Sequence, residues 1–225
     1  MTARGKAIYH CDVLDRGKVE LIDFMGDDDA PVDAARVSFG RSANQFTDEQ
    51  NEKLTQYLIE HGHTTPFEMV TFKFRVKAPV VVWWHWVRHR IASYNFISGR
   101  YVPLDETEVY TPDEWRAQSA TNKQGSDGIV GDEVLTRIFN RRRDELYTKA
   151  FELYQQMLTA GVAREQARLV LPFGACYYEA IVQMNARSLQ NFLALRRGGD
   201  AQSEIRAYAD ALYLIVHQTH PRIFP

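Results

Sequence analysis

The chain has few of the features that mark secreted, membrane or nucleic-acid-binding proteins. It contains only two cysteines, Cys11 and Cys176, which are too few for a disulfide framework or a structural zinc cluster. No run approaches the roughly 20 apolar residues of a membrane span, and the N-terminus has no apolar signal run. The formal net charge is -2, without the basic excess typical of proteins that bind polymeric nucleic acid. We therefore expect a soluble cytoplasmic protein with no membrane or nucleic-acid partner.

The 225 residues, 45% of them hydrophobic, are enough for one sizeable core, and no repeat or linker divides them. We expect a single domain over residues 1–225 with a polar loop insertion near residues 116–131. Alternating and β-branched stretches predict strands at 7–14, 19–25, 69–78 and 177–184. Capping residues and helical apolar spacing predict helices that begin near Pro31, Thr47, Pro79, Asp132, Ala163, Asn185 and Ala201.

The stretch from Arg88 to Tyr101 is rich in hydrogen-bond donors and has no carboxylate. It reads RHRIASYNFISGRY and holds three arginines, a histidine and two serines. Arginine forks match phosphate oxygens two at a time, and hydroxyls and amides near a glycine complete such a cradle. The alternative is that Arg88, His89 and Arg90 are cations that complement the negative end of a helix.

The helix that begins at Pro79 is predicted to continue through VVVWWHWVRHR, with Val80, Trp83, Trp84 and Val87 as its apolar face. Successive helical residues point about 100° apart. We therefore expect Arg88, His89 and Arg90 to serve different ligands, or ligands of neighbouring subunits, and not a single one.

Two other segments carry polar residues in unusual settings. One is residues 61–68, HGHTTPFE, which contain two histidines and a glutamate but no further strong ligand at metal-site spacing. A helix end followed by a turn at Pro66 accounts for these polar residues. Arg168 lies alone in the apolar segment ARLVLP and needs a buried anion or an interface carboxylate. We expect no metal.

Together these segments resemble a known family. The pattern RHRxxSxNxxSxR of the flavin-dependent thymidylate synthases is filled at every specified position from Arg88 to Arg100. AARVSF (34–39), HGHTTPFE, ARLVLP (167–172) and NARSLQNFLALR (185–196) follow the family in the same order. The resemblance implies an α+β single domain, with a central, mainly antiparallel sheet flanked by helices.

The resemblance also implies an activity. Members of the family carry out the reductive methylation of dUMP to dTMP. They take the methylene group from 5,10-methylenetetrahydrofolate and receive reducing equivalents from NADPH through FAD. They are homotetramers whose active sites combine several subunits.

Site residues are carried over by position from the family. Arg196 matches the group that stabilises negative charge on the uracil ring, since arginine stays protonated and cannot act as a base. The flavin contacts implied are Ser38, Thr65, Glu68, Arg88, His89, Arg90, Asn185, Arg187 and Asn191. The nucleotide contacts implied are His85, Arg88, Phe96, Ile97, Ser98, Gly99, Arg100, Arg168 and Arg196, with Arg168 at the phosphate.

Three positions depart from the commonest family pattern, and two rival functions are considered beside it. Phe96 replaces an acidic or amide residue, His85 replaces a glutamine, and Asp200 lies in a stretch that often holds a histidine near the flavin. A nucleotide- and flavin-binding regulator without turnover is therefore the alternative function. The cysteine-dependent thymidylate synthases are a weaker rival, because neither cysteine has that family's sequence setting; Cys176 is expected to be buried packing.

Overall fold

A computed structural model describes residues 9–225. Its strands are β1 (Tyr9–Val13), β2 (Gly17–Met25), β3 (Thr71–Pro79), β4 (Ser93–Phe96), β5 (Arg116–Gln118), β6 (Ser126–Ile129) and β7 (Tyr177–Asn185). Five of them form one sheet in the order β1-β2-β3-β7-β4, and every pairing in it is antiparallel. The predicted α+β fold with an antiparallel sheet is thus confirmed. Residues 7 and 8 of the first predicted strand lie outside the described residues.

The helices surround this sheet and begin close to the predicted positions. They are α1 (Ala30–Arg36), α2 (Asp48–Glu60), α3 (Val80–Trp86), α4 (Glu133–Thr159), α5 (Arg164–Ala167), α6 (Ala186–Arg196) and α7 (Ser203–Thr219). The Thr47 side chain caps α2 in a capping box with Gln50, as the sequence predicts. No helix in residues 9–225 combines the length and the apolar character needed to cross a membrane.

The predicted helix through Arg90 is wrong, because α3 ends at Trp86. In a continuing helix the Trp86 carbonyl would accept from the amide of Arg90. Instead it accepts from the amide of His89 at 3.0 Å and from the Tyr94 hydroxyl at 3.3 Å. The predicted apolar face is also partly wrong. Trp83 is buried, but Trp84 is 59% exposed and Val87 is exposed, while Trp86 is fully buried.

Two regions for which the sequence predicted no strand do contain strands. Residues Ser93–Phe96, in the middle of the arginine-rich stretch, form β4, which pairs with β7 from Ser93 opposite Gln183 to Phe96 opposite Ala180. The insertion near residues 116–131 contains the β5–β6 hairpin. Trp115 anchors this hairpin by donating from its indole nitrogen to Asn140 of α4 at 2.8 Å. The short, polar sequences of both regions carry too little alternation to indicate strands.

The core lies between the sheet and helices α3, α6 and α7. Alternate residues of β3 are buried, including Phe72 and Phe74, as expected for a strand with one covered face. Phe192 of α6 packs on Trp86 of α3 with ring centroids 4.8 Å apart. Because α6 follows β7 directly, this packing brings the end of α6 to the end of α3.

Candidate active site

The end of α3 and the face of α6 enclose a cavity of about 1120 Å³. Its wall contains His89 and five arginines: Arg88, Arg90, Arg187, Arg196 and Arg197. The remaining wall is largely apolar and comes from α2, the turn after it, α7 and the C-terminal segment: Ile59, Thr64, Phe67, Tyr213, Ile223, Phe224 and Pro225. The cavity can therefore take a ligand that has both an anionic part and a flat apolar part.

All three residues of the RHR triplet line this one cavity. The expectation that they serve different ligands assumed a regular helix, and that premise does not hold, because the triplet lies beyond the end of α3. Arg88 and Arg90 are exposed, whereas His89 is buried. The turn that follows the helix thus allows neighbouring residues to line the same space.

Arg196 is the last residue of α6 and points back toward the end of α3. Its Nε donates to Nε2 of His89 at 2.9 Å, and its Nη2 donates to the carbonyl of His85 at 3.3 Å. Burial, and then the nearby charge of Arg88, lower the pKa of Arg196. The guanidinium nevertheless stays protonated, since the pKa of arginine starts far above neutrality.

His89 is held as a neutral ring. Burial, and then the charge of Arg196, lower the pKa of His89 to about 4. Its ring is 9% exposed and meets Phe192 edge-on, with centroids 4.7 Å apart. The carbonyl of His89 accepts from the Tyr94 hydroxyl at 2.6 Å, which ties this residue to β4.

Three arginines of the cavity wall are not neutralised by carboxylates of the same chain. Among residues 9–225, Arg88, Arg90 and Arg196 form no ion pair with an aspartate or glutamate. The other two wall arginines are paired, Arg187 with Glu68 at 2.5 Å and Arg197 with Asp210 at 2.8 Å. Free guanidinium groups beside an apolar wall attract an anionic ligand.

The polar residues at the start of α6 have separate positions. Asn185 caps the helix, and its Oδ1 accepts from the amide of Ser188 at 2.8 Å. Asn191 is on the cavity wall, two turns along. Of the other predicted flavin contacts, Thr65 and Ser38 are exposed and are not on the cavity wall. Thr64, the neighbour of Thr65, is on the wall instead.

The predicted nucleotide loop forms a second cluster. The Ser98 carbonyl accepts from the amides of Tyr101 and Val102, and Arg100 pairs with Glu165 at 3.1 Å. Gly99 is buried, and a Cβ at this position would lie 2.9 Å from the Tyr178 hydroxyl and 3.4 Å from Nη1 of Arg168. A glycine is needed here for this close approach.

This second cluster is not on the wall of the Arg196 cavity. Ser98, Gly99, Arg100 and Arg168 are brought together by the loop after β4 and the segment after α5. The Tyr178 hydroxyl beside them is buried and has no hydrogen-bond partner within the described part of the chain. The chain therefore presents five of the nine predicted flavin contacts with Arg196 in one place, and the predicted phosphate residues in another. The five are Arg88, His89, Arg90, Arg187 and Asn191.

Comparison with known proteins identifies the family. The family model described as thymidylate synthase complementing protein matches residues 20–222. A flavin-dependent thymidylate synthase of Thermus thermophilus is 46% identical over 209 residues, covering 93% of this chain and 74% of that protein. Another, of Kosmotoga olearia, is 44% identical, covering 93% of this chain and 89% of that protein. The chain belongs to the flavin-dependent thymidylate synthases. The resemblance seen in the sequence is thus confirmed.

Solved structures agree with this family. The UMP/dUMP methylase PolB from Streptomyces cacaoi, bound with 5-Br dUMP, has a TM-score of 0.83 and 32% identity, over 95% of both chains. The same methylase bound with 5-Br UMP has a TM-score of 0.81 and 31% identity, over 95% of this chain and 94% of that chain. The fold of the flavin-dependent thymidylate synthases is therefore shared with an enzyme that was crystallised with pyrimidine nucleotides.

The departures from the family pattern have identifiable positions. Asp200 is exposed, and its Oδ1 accepts from Asn122 of the insertion at 3.3 Å; it is not on the cavity wall. Phe96 packs edge-on against Trp83 at 4.8 Å, and its neighbour Ile97 is 42% exposed. His85 offers its carbonyl, not its ring, to Arg196. Within one chain, Asp200 therefore adds no negative charge to this cavity.

Several wall residues were not anticipated from the sequence of this flavin-dependent thymidylate synthase. Tyr213 comes from α7, and Phe224 and Pro225 come from the C-terminal segment; no site residue was predicted in either. The Tyr213 hydroxyl donates to the Pro225 carbonyl at 2.9 Å, and Gln190 donates to the Ile223 carbonyl at 3.1 Å. No local motif signals these residues, because they reach the cavity only by tertiary packing.

Proposed function

We propose that this chain converts dUMP to dTMP by reductive methylation. The one-carbon donor is 5,10-methylenetetrahydrofolate and the reductant is NADPH. FAD accepts the reducing equivalents from NADPH and passes them on for the methylation. The observation that carries the proposal is Arg196, a partly buried and charged guanidinium with only neutral hydrogen-bond partners, on the wall of a cation-rich cavity.

The residues of the cavity fit FAD. The guanidinium groups of Arg88 and Arg90 suit a diphosphate, since they carry no carboxylate partner among the described residues. The volume of about 1120 Å³ exceeds the usual range for drug-sized ligands, and apolar residues such as Phe67 and Leu193 suit a flat ring system. Asn191 and Arg187 would complete the polar contacts. When bound, the flavin supplies the hydride chemistry.

The protein's own part in the reaction is electrostatic. Carbon 5 of uracil becomes nucleophilic when the ring carries more negative charge, for example after N3 loses its proton. Arg196 stabilises that charge without exchanging a proton. Ser98 and the amides around Gly99 bind the nucleotide, and Arg168 binds its phosphate. Cys176 takes no part, because burial raises the pKa of its thiol to about 11 and it lies on the core side of the sheet.

We further propose that each active site combines more than one copy of the chain, in a homotetramer. The separation of the Arg196 cavity from the Ser98–Arg168 cluster supports this, since a nucleotide must contact both. Large apolar side chains are also exposed beside the two clusters, namely Ile91, Tyr101 and Leu169, each more than 70% exposed. The free thiols of Cys11 and Cys176 support a cytoplasmic location.

The function is tested by spectrum and turnover together. Purified protein should be yellow, should bleach on addition of NADPH, and should release tritium from dUMP labelled at carbon 5 when methylenetetrahydrofolate is present. A yellow protein that binds dUMP but releases no tritium would be the regulator without turnover. A colourless protein that ignores dUMP after reconstitution with FAD would overturn both.

The shared site is tested by complementation. Arg168→Ala and Arg196→Ala, each inactive alone, are co-expressed with different tags and purified as mixed oligomers. Sites that draw Arg168 and Arg196 from different copies regain part of the wild-type turnover in the mixture. Turnover that stays at the level of the separate variants would show that one copy supplies both residues.

A further inference from the structure

We propose that His89 is a positioning residue for Arg196, acting as a neutral hydrogen-bond acceptor through Nε2. The family pattern marks His89 only as one of three residues near the flavin. The geometry assigns it a separate task within the proposed function: it orients the guanidinium that activates the pyrimidine and leaves its charge uncompensated.

The contact joins two distant parts of the chain. His89 lies just beyond α3 and Arg196 ends α6, 107 positions later, and Nε of Arg196 lies 2.9 Å from Nε2 of His89. A second neutral acceptor, the His85 carbonyl, takes Nη2 at 3.3 Å. Arginine has five N–H donors. The contacts to His89 and His85 use two of these donors and fix the plane of the guanidinium. The other three N–H donors remain for a ligand.

The hydrogen bond also determines the tautomer of His89. Nε2 can accept from Arg196 only if the ring is neutral and its proton is on Nδ1. The two charged groups that influence this site are both cations, Arg196 beside the ring and Arg88 beside Arg196, so the surroundings disfavour an imidazolium. No carboxylate pairs with either arginine among residues 9–225.

The ring cannot easily turn away from Arg196. Phe192 meets it edge-on at 4.7 Å, one turn before Arg196 on the same helix. The backbone of His89 is held on both sides, since its amide donates to the Trp86 carbonyl at 3.0 Å and its carbonyl accepts from Tyr94 at 2.6 Å. A carboxylate in this position would hold the guanidinium equally well but would neutralise it. The neutral acceptor provides orientation alone.

Nitrogen NMR of the histidine ring tests the hydrogen bond without any reference to turnover. In protein labelled with ¹⁵N-histidine at neutral pH, the His89 signals, assigned by their loss in His89→Gln, should show a proton on Nδ1 and an unprotonated Nε2. Arg196→Ala should shift the Nε2 signal, while His10→Gln, at an exposed site on β1, should leave it unchanged. A proton on Nε2, or no response to Arg196→Ala, would overturn the proposal even in an active enzyme.

Kinetics of two amide variants tests the consequence. Glutamine carries its amide oxygen about as far from the backbone as Nε2, whereas asparagine reaches only as far as Nδ1. Loss of a hydrogen bond to a charged group should lower kcat of His89→Asn by about 10- to 100-fold, and His89→Gln should recover most of that loss. The flavin bound per chain is measured for both variants.

The outcomes separate the possible roles. Equal kcat values for the two variants, or a fall in kcat that only follows lost flavin, would show that His89 acts through the cofactor and would overturn the proposal. If wild-type protein releases no tritium, the proposed function fails, but the NMR experiment still decides whether His89 holds Arg196.

Discussion

Arg196 and Arg116 each make side-chain hydrogen bonds to distant parts of the chain, and they differ in the charge of their partners. Arg196 meets a neutral imidazole and a carbonyl at the cavity. Arg116, on the insertion hairpin, donates from Nη2 to Oε1 of Glu204 at 2.5 Å, and that carboxylate also accepts from Tyr110 at 3.2 Å and Gln202 at 2.7 Å. One arginine keeps its charge for a ligand, whereas the other uses it inside the chain.

This difference separates a functional arginine from a structural one. The Glu204 side chain is only 6% exposed, so its charge must be compensated where it lies, and Arg116 docks the β5–β6 hairpin on the first turn of α7 in doing so. Arg196 has no such carboxylate, and its nearest charged neighbour, Arg88, repels it. An anionic ligand would offset that repulsion, which is why the proposed function assigns the ligand to the arginine without a carboxylate.

The largest expected effect comes from removing the functional arginine. Arg196→Ala should lower turnover by roughly a hundred- to a thousandfold, the usual loss when one group that stabilises developing charge is removed. Flavin content should be retained, because Arg88 and Arg90 remain. The measurement is tritium release alongside the flavin absorbance per chain. Turnover within a fewfold of wild type would contradict the role of Arg196.

Removing the structural arginine should act on stability instead. Arg116→Met leaves the buried carboxylate of Glu204 without its cation and should lower the free energy of unfolding by about 3 kcal/mol. Denaturant unfolding measures this, and Arg142→Met, an exposed arginine of α4, is the matched control. If Arg116→Met unfolds like the control, the hairpin is not docked through this pair.

The two sites should also respond to acid in different pH windows. The pKa of His89, lowered to about 4, lies below its unfolded value of 6.5, so the unfolded chain binds the additional proton between these values and stability falls as the pH drops through this window. Burial raises the pKa of Glu204, but hydrogen bonds from Arg116 and Gln202 outweigh it, leaving the pKa below 4.5. The contribution of the Glu204 carboxylate to stability is thus present above pH 4.5 and is lost only below it.

Thermal unfolding measured over both windows separates the two groups. His89→Gln should flatten the loss of stability between pH 6.5 and about 4, and Glu204→Gln should flatten the loss below 4.5. A His89→Gln curve parallel to wild type across the upper window would mean that the imidazole titrates normally in the folded protein.

The smallest effect is expected at a residue that contacts neither arginine. Cys176→Ala should keep wild-type turnover and lower the free energy of unfolding by about 1 kcal/mol, since Cys176 is 2% exposed and its thiol bonds only weakly to the Pro172 carbonyl. Activity and unfolding are measured on the same preparation. Loss of turnover with normal folding would instead favour a cysteine-dependent mechanism.

Local patterns were sufficient for most of the elements. The alternation of β3, the capping box of α2 and the Asn185 cap of α6 each depend on neighbours within a few residues, so the sequence predicts them. The end of α3 was not predictable in this way. It depends on the Tyr94 hydroxyl, which reaches the Trp86 carbonyl from β4, and on the pairing of β4 with β7.

In the candidate site too, the residue types were predictable from local patterns, whereas the contacts between distant residues were not. The family was evident in the sequence, and Arg88, His89, Arg90 and Arg196 were predicted as site residues from it, because the motifs preserve spacing along the chain. Which of them touch was not evident. The contact of Arg196 with His89 spans 107 positions, and the walls from Tyr213 and Phe224 carry no motif.

The sequence by itself determined the family, the residue types at the site and the course of the main strands and helices, because all of these are written in short-range spacing. Only the tertiary structure decided that Arg196 has neutral partners and Arg116 a buried carboxylate. The physical reason is that the charge state and availability of a guanidinium depend on groups brought beside it by packing, and those groups lie 107 and 88 positions away along the chain.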